Sequence, residues 1–331
     1  MQKRAIGPFA VSPIGLGCMN LSHAYGVPPE EKAAIGLLHR ALDLGVDFFD
    51  TAALYGFGAN EVLLGKALRN QRSRITLASK CGMQGVDGKR VIDGRPATIK
   101  ATCDAALQRL QTDVIDLYYL HRRDFSVPIE ESVGALADLL AAGKVRAIGL
   151  SEVSAETLRR AHAIHPIAAV QSEYSLWSRE TEIAVLDACR EIGAAFVAFS
   201  PLGRGFLCGE LTDPLSQLVA GDIRRAMPRF APDNFARNLE LLGDYRKIAG
   251  EVGCSPAQLA LAWILARHPQ MLVIPGTRTI AHLEDNLGAG QIALAPEVVN
   301  RLDALINRQT VAGPRYNAAT QLEIDTEQFS A

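Results

Sequence analysis

The chain has no cluster of cysteines, no excess of either charge and no long apolar run. Its six cysteines (Cys18, Cys81, Cys103, Cys189, Cys208 and Cys254) include no CxxC pair. In a chain of 331 residues that scatter excludes a disulfide framework and predicts reduced, mostly buried thiols in a cytoplasmic protein. Lys and Arg number 34 against 36 Asp and Glu. The formal net charge of −2 argues against a nucleic-acid or membrane-surface binder and for a small-molecule partner. No segment approaches a membrane span. Met1-Gln2-Lys3-Arg4 leads into Ala5-Ile6-Gly7-Pro8 rather than an apolar stretch, so no signal peptide is expected. No linker, low-complexity run or short repeat divides the sequence, which predicts one domain over 1–331. The pattern specifies no oligomeric state.

What the sequence does contain is alternation. Short β-branched runs each precede a helical pattern, which points to a mostly parallel sheet. After a small hairpin within 3–11, strands are predicted at 14–18, 47–51, 75–80, 114–121, 145–151, 168–174, 194–200 and 272–275. Helices are predicted at 30–44, 60–69, 97–111, 129–142, 155–164, 180–192, 234–250, 256–267, 280–287 and 296–308. Asn60, Ser154 and Ser255 stand at N-cap positions, and Pro256 at a first helical position. Gly15-Leu16-Gly17 lacks the third glycine of a dinucleotide turn and opens no helix, which disfavours an open doubly wound sheet. The expected fold is a (β/α)8 TIM barrel with an N-terminal hairpin and extra C-terminal helices.

Barrels of this kind carry their chemistry at the C-terminal ends of the strands. That rule selects Asp50 after the second strand and Tyr55 just beyond it, Lys80 after the third, and His121 after the fourth. A phenol is a poor acid at neutral pH unless a cation stabilises its phenolate. Lys80 can supply the cation, Asp50 can keep Lys80 protonated, and His121 can orient a substrate oxygen. Singly, each has an ordinary reading: a rim ion pair, a loop aromatic, a satisfied core histidine. Jointly, on adjacent strand ends, they suit carbonyl reduction, with Tyr55 protonating the developing alkoxide.

At these residues the sequence resembles the aldo-keto reductase family. The matching motifs are Asp50-Thr51-Ala52-Ala53-Leu54-Tyr55-Gly56 with Asn60-Glu61, Ser79-Lys80, and Asp116 through His121. They continue with Gly149-Leu150-Ser151, Val170-Gln171 through Tyr174, Ser200 through Gly205, and Ile274 through Arg278 with Asn286 downstream. The resemblance runs in the same order from about Ile6 to Ile306. It implies Tyr55 as general acid, supported by Asp50 and Lys80, with His121 orienting the carbonyl. It also implies a nicotinamide cofactor in extended form across the barrel mouth, with NADP (NADPH) favoured by Arg278. Ser151 and Gln171 would hydrogen-bond the carboxamide, and Phe199 would stack on the nicotinamide with no polar handle of its own. His282, Asp285 and Asn286 would surround the adenosine.

The phosphate end follows partly from physics. Loops after strands seven and eight of such barrels often hold phosphate beside a helix N-terminus. Ser200, Leu202, Gly203 and Gly205 follow strand seven, and Gly276, Thr277 and Arg278 follow strand eight. Arg278 can fork onto a 2′-phosphate, which favours NADP over NAD. Two positions depart from the family pattern: Glu152 replaces a common Asn, and His282 replaces a longer cation.

Other features have plainer readings. His162 and His165 are spaced like helix-borne metal ligands but have no third partner, so no metal is expected. Ser151 and Ser200 lack a G-x-S-x-G elbow. The stretch 202–233 carries Arg204, Arg224, Arg225 and Arg229; a solvated loop is expected for most of them, with a clasp over the cofactor as the functional alternative. Trp177 would line the pocket or cap the core. Two rival functions use the same residues. One is an NAD(P)-dependent sugar or alcohol dehydrogenase running oxidatively. The other is a cofactor-sensing regulatory subunit resembling potassium-channel beta subunits, although the chain shows no obvious docking segment.

Overall fold

The computed structural model describes residues 2–329. In chain order its strands are β1 (Arg4–Ile6), β2 (Phe9–Val11), β3 (Leu16–Gly17), β4 (Phe48–Asp50), β5 (Thr76–Cys81), β6 (Met83–Val86) and β7 (Lys89–Ile92). They continue with β8 (Ile115–Leu120), β9 (Val145–Ser151), β10 (Ala169–Glu173), β11 (Ala195–Phe199) and β12 (Met271–Val273). Eight of them form one parallel sheet in the order β12-β11-β10-β9-β8-β5-β4-β3. Ile14 bridges Val273, and Gly15 N–H donates to Val273 O at 2.9 Å, which joins the first strand to the last. The eight-stranded sheet of the (β/α)8 barrel is therefore closed on itself.

Period-two alternation divides each strand between the barrel interior and the helix layer. Phe48, Ala78, Leu117, Tyr119, Ala147, Ala169, Ala195, Val197 and Leu272 face inward as one cluster. Phe49, Leu77, Tyr118, Ile148, Val170 and Phe196 face the helices. Small inward residues make room for large ones: a Cβ at Gly149 would stand 2.5 Å from the Tyr119 ring. The β1–β2 hairpin closes the far end, adding Ile6 and Val11 to the interior cluster. Chemistry is left to the other mouth.

The helices begin and end for local reasons. Ser154 accepts from Thr157 N–H, and Ser255 forms a capping box with Gln258 behind Pro256. Asn60 is not a cap. The helix Ala59–Leu68 starts after Gly58, and the Asn60 side chain turns inward to bond Cys18 O (2.8 Å), Ser22 Oγ (2.9 Å) and Thr51 Oγ1 (2.6 Å). The predicted helix 180–192 divides into a turn at Glu180–Glu182 and a helix at Val185–Ile192, with Ala184 non-helical between them and Glu182 accepting from Tyr174 Oη and Arg179 Nε. The segment 234–250 is two helices, Pro232–Leu239 and Leu241–Val252. No single helix among the described residues is long and apolar enough to cross a membrane.

The stretch 202–233 departs from the solvated loop expected of it. It carries short turns at Gly203–Cys208, Pro214–Gln217, Ile223–Ala226 and Pro228–Phe230 and forms one wall of the barrel mouth. Arg204 and Arg229 are buried and Arg224 half-buried, with Arg225 exposed. Each buried guanidinium has partners: Arg204 pairs with Glu173, and Arg229 bonds Trp177 O, Ser178 Oγ and Gly313 O. Trp177 belongs to the core, stacked on Phe206 at 4.1 Å between ring centroids.

Candidate active site

The inward parity that fills the barrel also selects the polar side chains at its mouth. Asp50 follows Phe48, Lys80 follows Ala78, and His121 follows Tyr119, each two residues further on the same face. Ser151, Gln171 and Phe199 obey the same rule on β9, β10 and β11. They surround a cavity of about 810 Å³, whose wall includes Asp50, Tyr55, His121, Ser151, Gln171 and Phe199. Lys80 lies behind Tyr55 and is fully buried.

All three ammonium hydrogens of Lys80 have acceptors. They reach Asp50 Oδ1, Thr51 O at 2.9 Å and Tyr55 Oη at 3.2 Å. Because Lys80 donates into the phenol oxygen, the hydroxyl hydrogen of Tyr55 is left for another acceptor. Gln171 Nε2 donates to Asp50 Oδ2 at 2.8 Å. Burial raises the Tyr55 pKa, and the Lys80 charge offsets that rise without cancelling it, so the phenol keeps its proton at neutral pH. Burial by itself would lower the Lys80 pKa, but Asp50 and Tyr55 outweigh it and hold the ammonium charged. His121 is held neutral by burial and by the nearby charges of Arg122, Lys80 and Arg90. Its ring meets Tyr55 edge-on at 5.8 Å between centroids.

Tyr55 is aimed by a strained turn. Gly56, Phe57 and Gly58 all have left-handed backbones, with φ of 55°, 51° and 95°. A Cβ at Gly58 would come 2.9 Å from the Arg109 side chain, so only glycine fits there. The following helix is tied to the barrel by Asn60 and by Glu61, which accepts from Ser79 Oγ at 2.6 Å and Arg109 Nε at 2.7 Å. The Asn60-Glu61 pair thereby fixes the loop that carries the phenol.

The rest of the cavity suits an extended dinucleotide. Ser200, Leu202, Gly205, Gly276, Thr277, Arg278, His282, Asp285 and Asn286 all line it. Gly203 does not; it packs against Trp177. Ser200, Gly203, Arg204 and Gly205 adopt positive φ, which curls the chain tightly after β11. Gly276 approaches Asn20 so closely that a Cβ would stand 2.7 Å from its Oδ1. Arg278 bonds only Val27 O (2.9 Å) and has no carboxylate partner among the described residues. It stands just before the helix Ile280–Gly288, whose N-cap is Thr279. An unneutralised guanidinium beside a helix N-terminus fits a phosphate. Asp285 accepts from Ser255 Oγ at 2.8 Å, and His282 is exposed 3.8 Å from Glu210. Glu152 faces away from the cavity, in a buried network with Arg315 at 2.7 Å. His162 accepts from Ile167 N–H at 3.2 Å, and no group of three metal-ligating side chains occurs among the described residues.

Several wall residues have no counterpart in the sequence reading. Arg122 follows His121 directly and was accessible to the strand-end rule. Arg90 comes from the β6–β7 hairpin, a pair of strands no hydrophobic pattern announces. Tyr316 and Glu323 come from the C-terminal tail, which closes over the mouth through Arg90–Glu323, Arg123–Asp325 and Arg315–Glu152 pairs.

The model of the aldo/keto reductase family matches residues 13–307, and the chain belongs to that family. It is 42% identical over 332 residues to the NADP(+) aldo-keto reductase yakc of Schizosaccharomyces pombe, covering 98% of this chain and 97% of that protein. Among solved structures, a glycerol dehydrogenase from Gluconobacter oxydans superposes with a TM-score of 0.86 at 28% identity, covering 95% of this chain and 97% of that one. A Klebsiella pneumoniae aldo/keto reductase in complex with NADP and acetate matches at a TM-score of 0.73 and 29% identity, covering 98% and 99%. Like other members, this chain is an oxidoreductase acting on small-molecule carbonyl compounds.

Proposed function

We propose that the chain uses NADPH to reduce aldehydes or ketones to alcohols, with Tyr55 as general acid. The observation that carries this reading is the Lys80 ammonium bonded to both Asp50 and Tyr55 Oη, beside a neutral His121 at the cavity wall. A bound reduced nicotinamide supplies a hydride to the carbonyl carbon. Tyr55 gives its free hydroxyl hydrogen to the carbonyl oxygen as negative charge develops there, and Lys80 stabilises the phenolate that results. Neutral His121 hydrogen-bonds the same oxygen without competing as an acid.

Phe199 offers a ring face for the nicotinamide, and Ser151 with the free Oε1 of Gln171 suits its carboxamide. Arg278 suits the 2′-phosphate, which supports NADP over NAD. The glycerol dehydrogenase likeness favours a second direction, alcohol oxidation, in which the same residues act in reverse. The barrel functions as one domain, and its free thiols suit the cytoplasm. The test is NADPH oxidation across aldehydes, ketones, sugars and pyridoxal, repeated with NADH. Turnover with simple aldehydes and a preference for NADPH is the expected result; no consumption of either cofactor with any carbonyl contradicts the reading.

A further inference from the structure

Five arginines line the cavity: Arg90, Arg122, Arg204, Arg224 and Arg278. Three of them have carboxylate partners, Glu323, Glu173 and Asp222 respectively for Arg90, Arg204 and Arg224. Arg122 and Arg278 have none among the described residues. They stand at opposite ends of the cavity, Arg278 where the cofactor phosphate is expected and Arg122 next to His121 and Ser151. A guanidinium stays charged at any working pH, and leaving it half-buried without a counter-ion is unfavourable. Arg278 is exposed to solvent and stands where the cofactor phosphate is expected. Arg122 is half-buried and has neither a carboxylate nor an expected phosphate beside it.

The geometry of Arg122 shows what it can still bind. Its Nη1 donates to His121 O at 2.7 Å and to Ser151 Oγ at 3.2 Å. These two bonds hold the side chain against the wall but are made to neutral acceptors. Nε and Nη2 have no protein partner among the described residues, and together they form the edge of a guanidinium that accepts a carboxylate in a two-pronged bond. Its bonds to His121 O and Ser151 Oγ place Arg122 on the same stretch of cavity wall as His121 and Ser151, and its charge acts on both Tyr55 and His121. Arg90 lines the same cavity but is paired with Glu323, so the unpaired charge on this side is that of Arg122.

We infer that the substrate carries a carboxylate near its carbonyl group and that Arg122 binds it, making Arg122 the specificity-determining residue of this site. The substrate class is an aldehyde or ketone acid. This rests on the carbonyl-reductase reading above. A purely structural Arg122 would instead only steady the loop after β8 and the Ser151 hydroxyl, and its loss would affect all substrates alike.

The experiment compares 3- and 4-carboxybenzaldehyde with their neutral methyl esters, in the wild type and in Arg122→Gln and Arg122→Lys. Gln removes the charge while keeping a neutral amide donor on a shorter side chain. The wild type is expected to prefer at least one acid over its ester by roughly tenfold or more in kcat/KM. Arg122→Gln should lower that acid's kcat/KM by roughly tenfold to a hundredfold, mainly through KM, and the ester's by less than about threefold. Arg122→Lys should recover part of the loss. Equal losses for acid and ester overturn the inference, as does a wild type indifferent to the carboxylate. Calorimetric binding of the same aldehydes in the presence of NADP+, where no reduction occurs, separates the two readings. Charge-dependent binding lost in Arg122→Gln supports the anion site even if turnover is absent, whereas ester turnover with acid binding unaffected by the substitution overturns it and leaves the reductase intact.

Discussion

Gln171 donates its side-chain N–H to Asp50 Oδ2 at 2.8 Å while Lys80 occupies Oδ1, so both oxygens of one buried carboxylate are satisfied from different strands. This contact gives Gln171 a duty that family resemblance did not announce. Its amide orientation is set by Asp50, which leaves the carbonyl oxygen as the group free to meet the cofactor. Removing it in Gln171→Ala leaves a buried carboxylate oxygen without a donor, a loss of about 1–3 kcal/mol. Denaturant unfolding is expected to show that loss, together with weaker NADPH binding by fluorescence titration.

The pH dependence follows from the directions of two pKa shifts. Reduction needs the phenol form of Tyr55, whose pKa is raised, so reductive kcat/KM should stay flat to about pH 9 and decline only beyond the ordinary phenol range. Because the His121 pKa is pushed well below its usual value, no inflection is expected near 6.5. A pH profile of kcat/KM reads both, and a step in the 6–7 range would point to a titrating histidine.

Lys80→Met removes the main charge that offsets burial at Tyr55 and leaves only the smaller effect of Arg122. The phenol pKa then rises further, and alcohol oxidation, which starts from the phenolate, should suffer most. The substitution also leaves Asp50 as a buried unpaired carboxylate, so destabilisation by about 3–5 kcal/mol is expected as well. Oxidative rates with a simple alcohol, read beside a denaturation curve, separate the two effects.

A buried network holds the C-terminal tail to the barrel. Burial by itself would raise the Glu173 pKa, but Arg204, Arg315 and Arg229 outweigh it and bring it to about 2. A depressed pKa stabilises the fold above the ordinary carboxylate value of 4.5, and that stability is lost as pH falls from there toward about 2. Glu173→Gln should flatten this part of the pH–stability curve while lowering stability at neutral pH, because the arginines lose a counter-ion. Thermal unfolding across the acid range checks it.

Arg278→Met is expected to weaken NADPH binding by roughly tenfold to a hundredfold and leave NADH binding nearly the same. Titration with each cofactor measures this directly. Equal losses for both would assign Arg278 to the shared part of the dinucleotide.

The legible parts of this molecule were those governed by period and position. Alternation of strands and helices specifies the barrel, and the strand-end rule alone selects Asp50, Lys80 and His121. Inward parity, readable from Ala78 to Lys80 or Tyr119 to His121, is a stronger form of the same signal. What stayed hidden depends on contacts between distant segments. Asn60 has the residue type of a helix cap, and the Cys18 carbonyl, the Ser22 hydroxyl and the Thr51 hydroxyl draw it inward. Arg204 and Arg229 read as solvated because their acceptors, Glu173 at the end of β10 and the Trp177 carbonyl in the loop after it, lie in distant parts of the sequence. The tail that brings Arg315, Tyr316 and Glu323 to the mouth has no periodic pattern at all.

The central claim is that Tyr55 donates the proton. The most direct measurement is single-turnover oxidation of NADPH by an aldehyde in Tyr55→Phe, with cofactor affinity measured in the same preparation. A loss on the order of a thousandfold or more in the reduction step is expected, while NADPH binds within a few-fold of the wild type. Reduction at the wild-type rate by a protein that lacks this hydroxyl would contradict it.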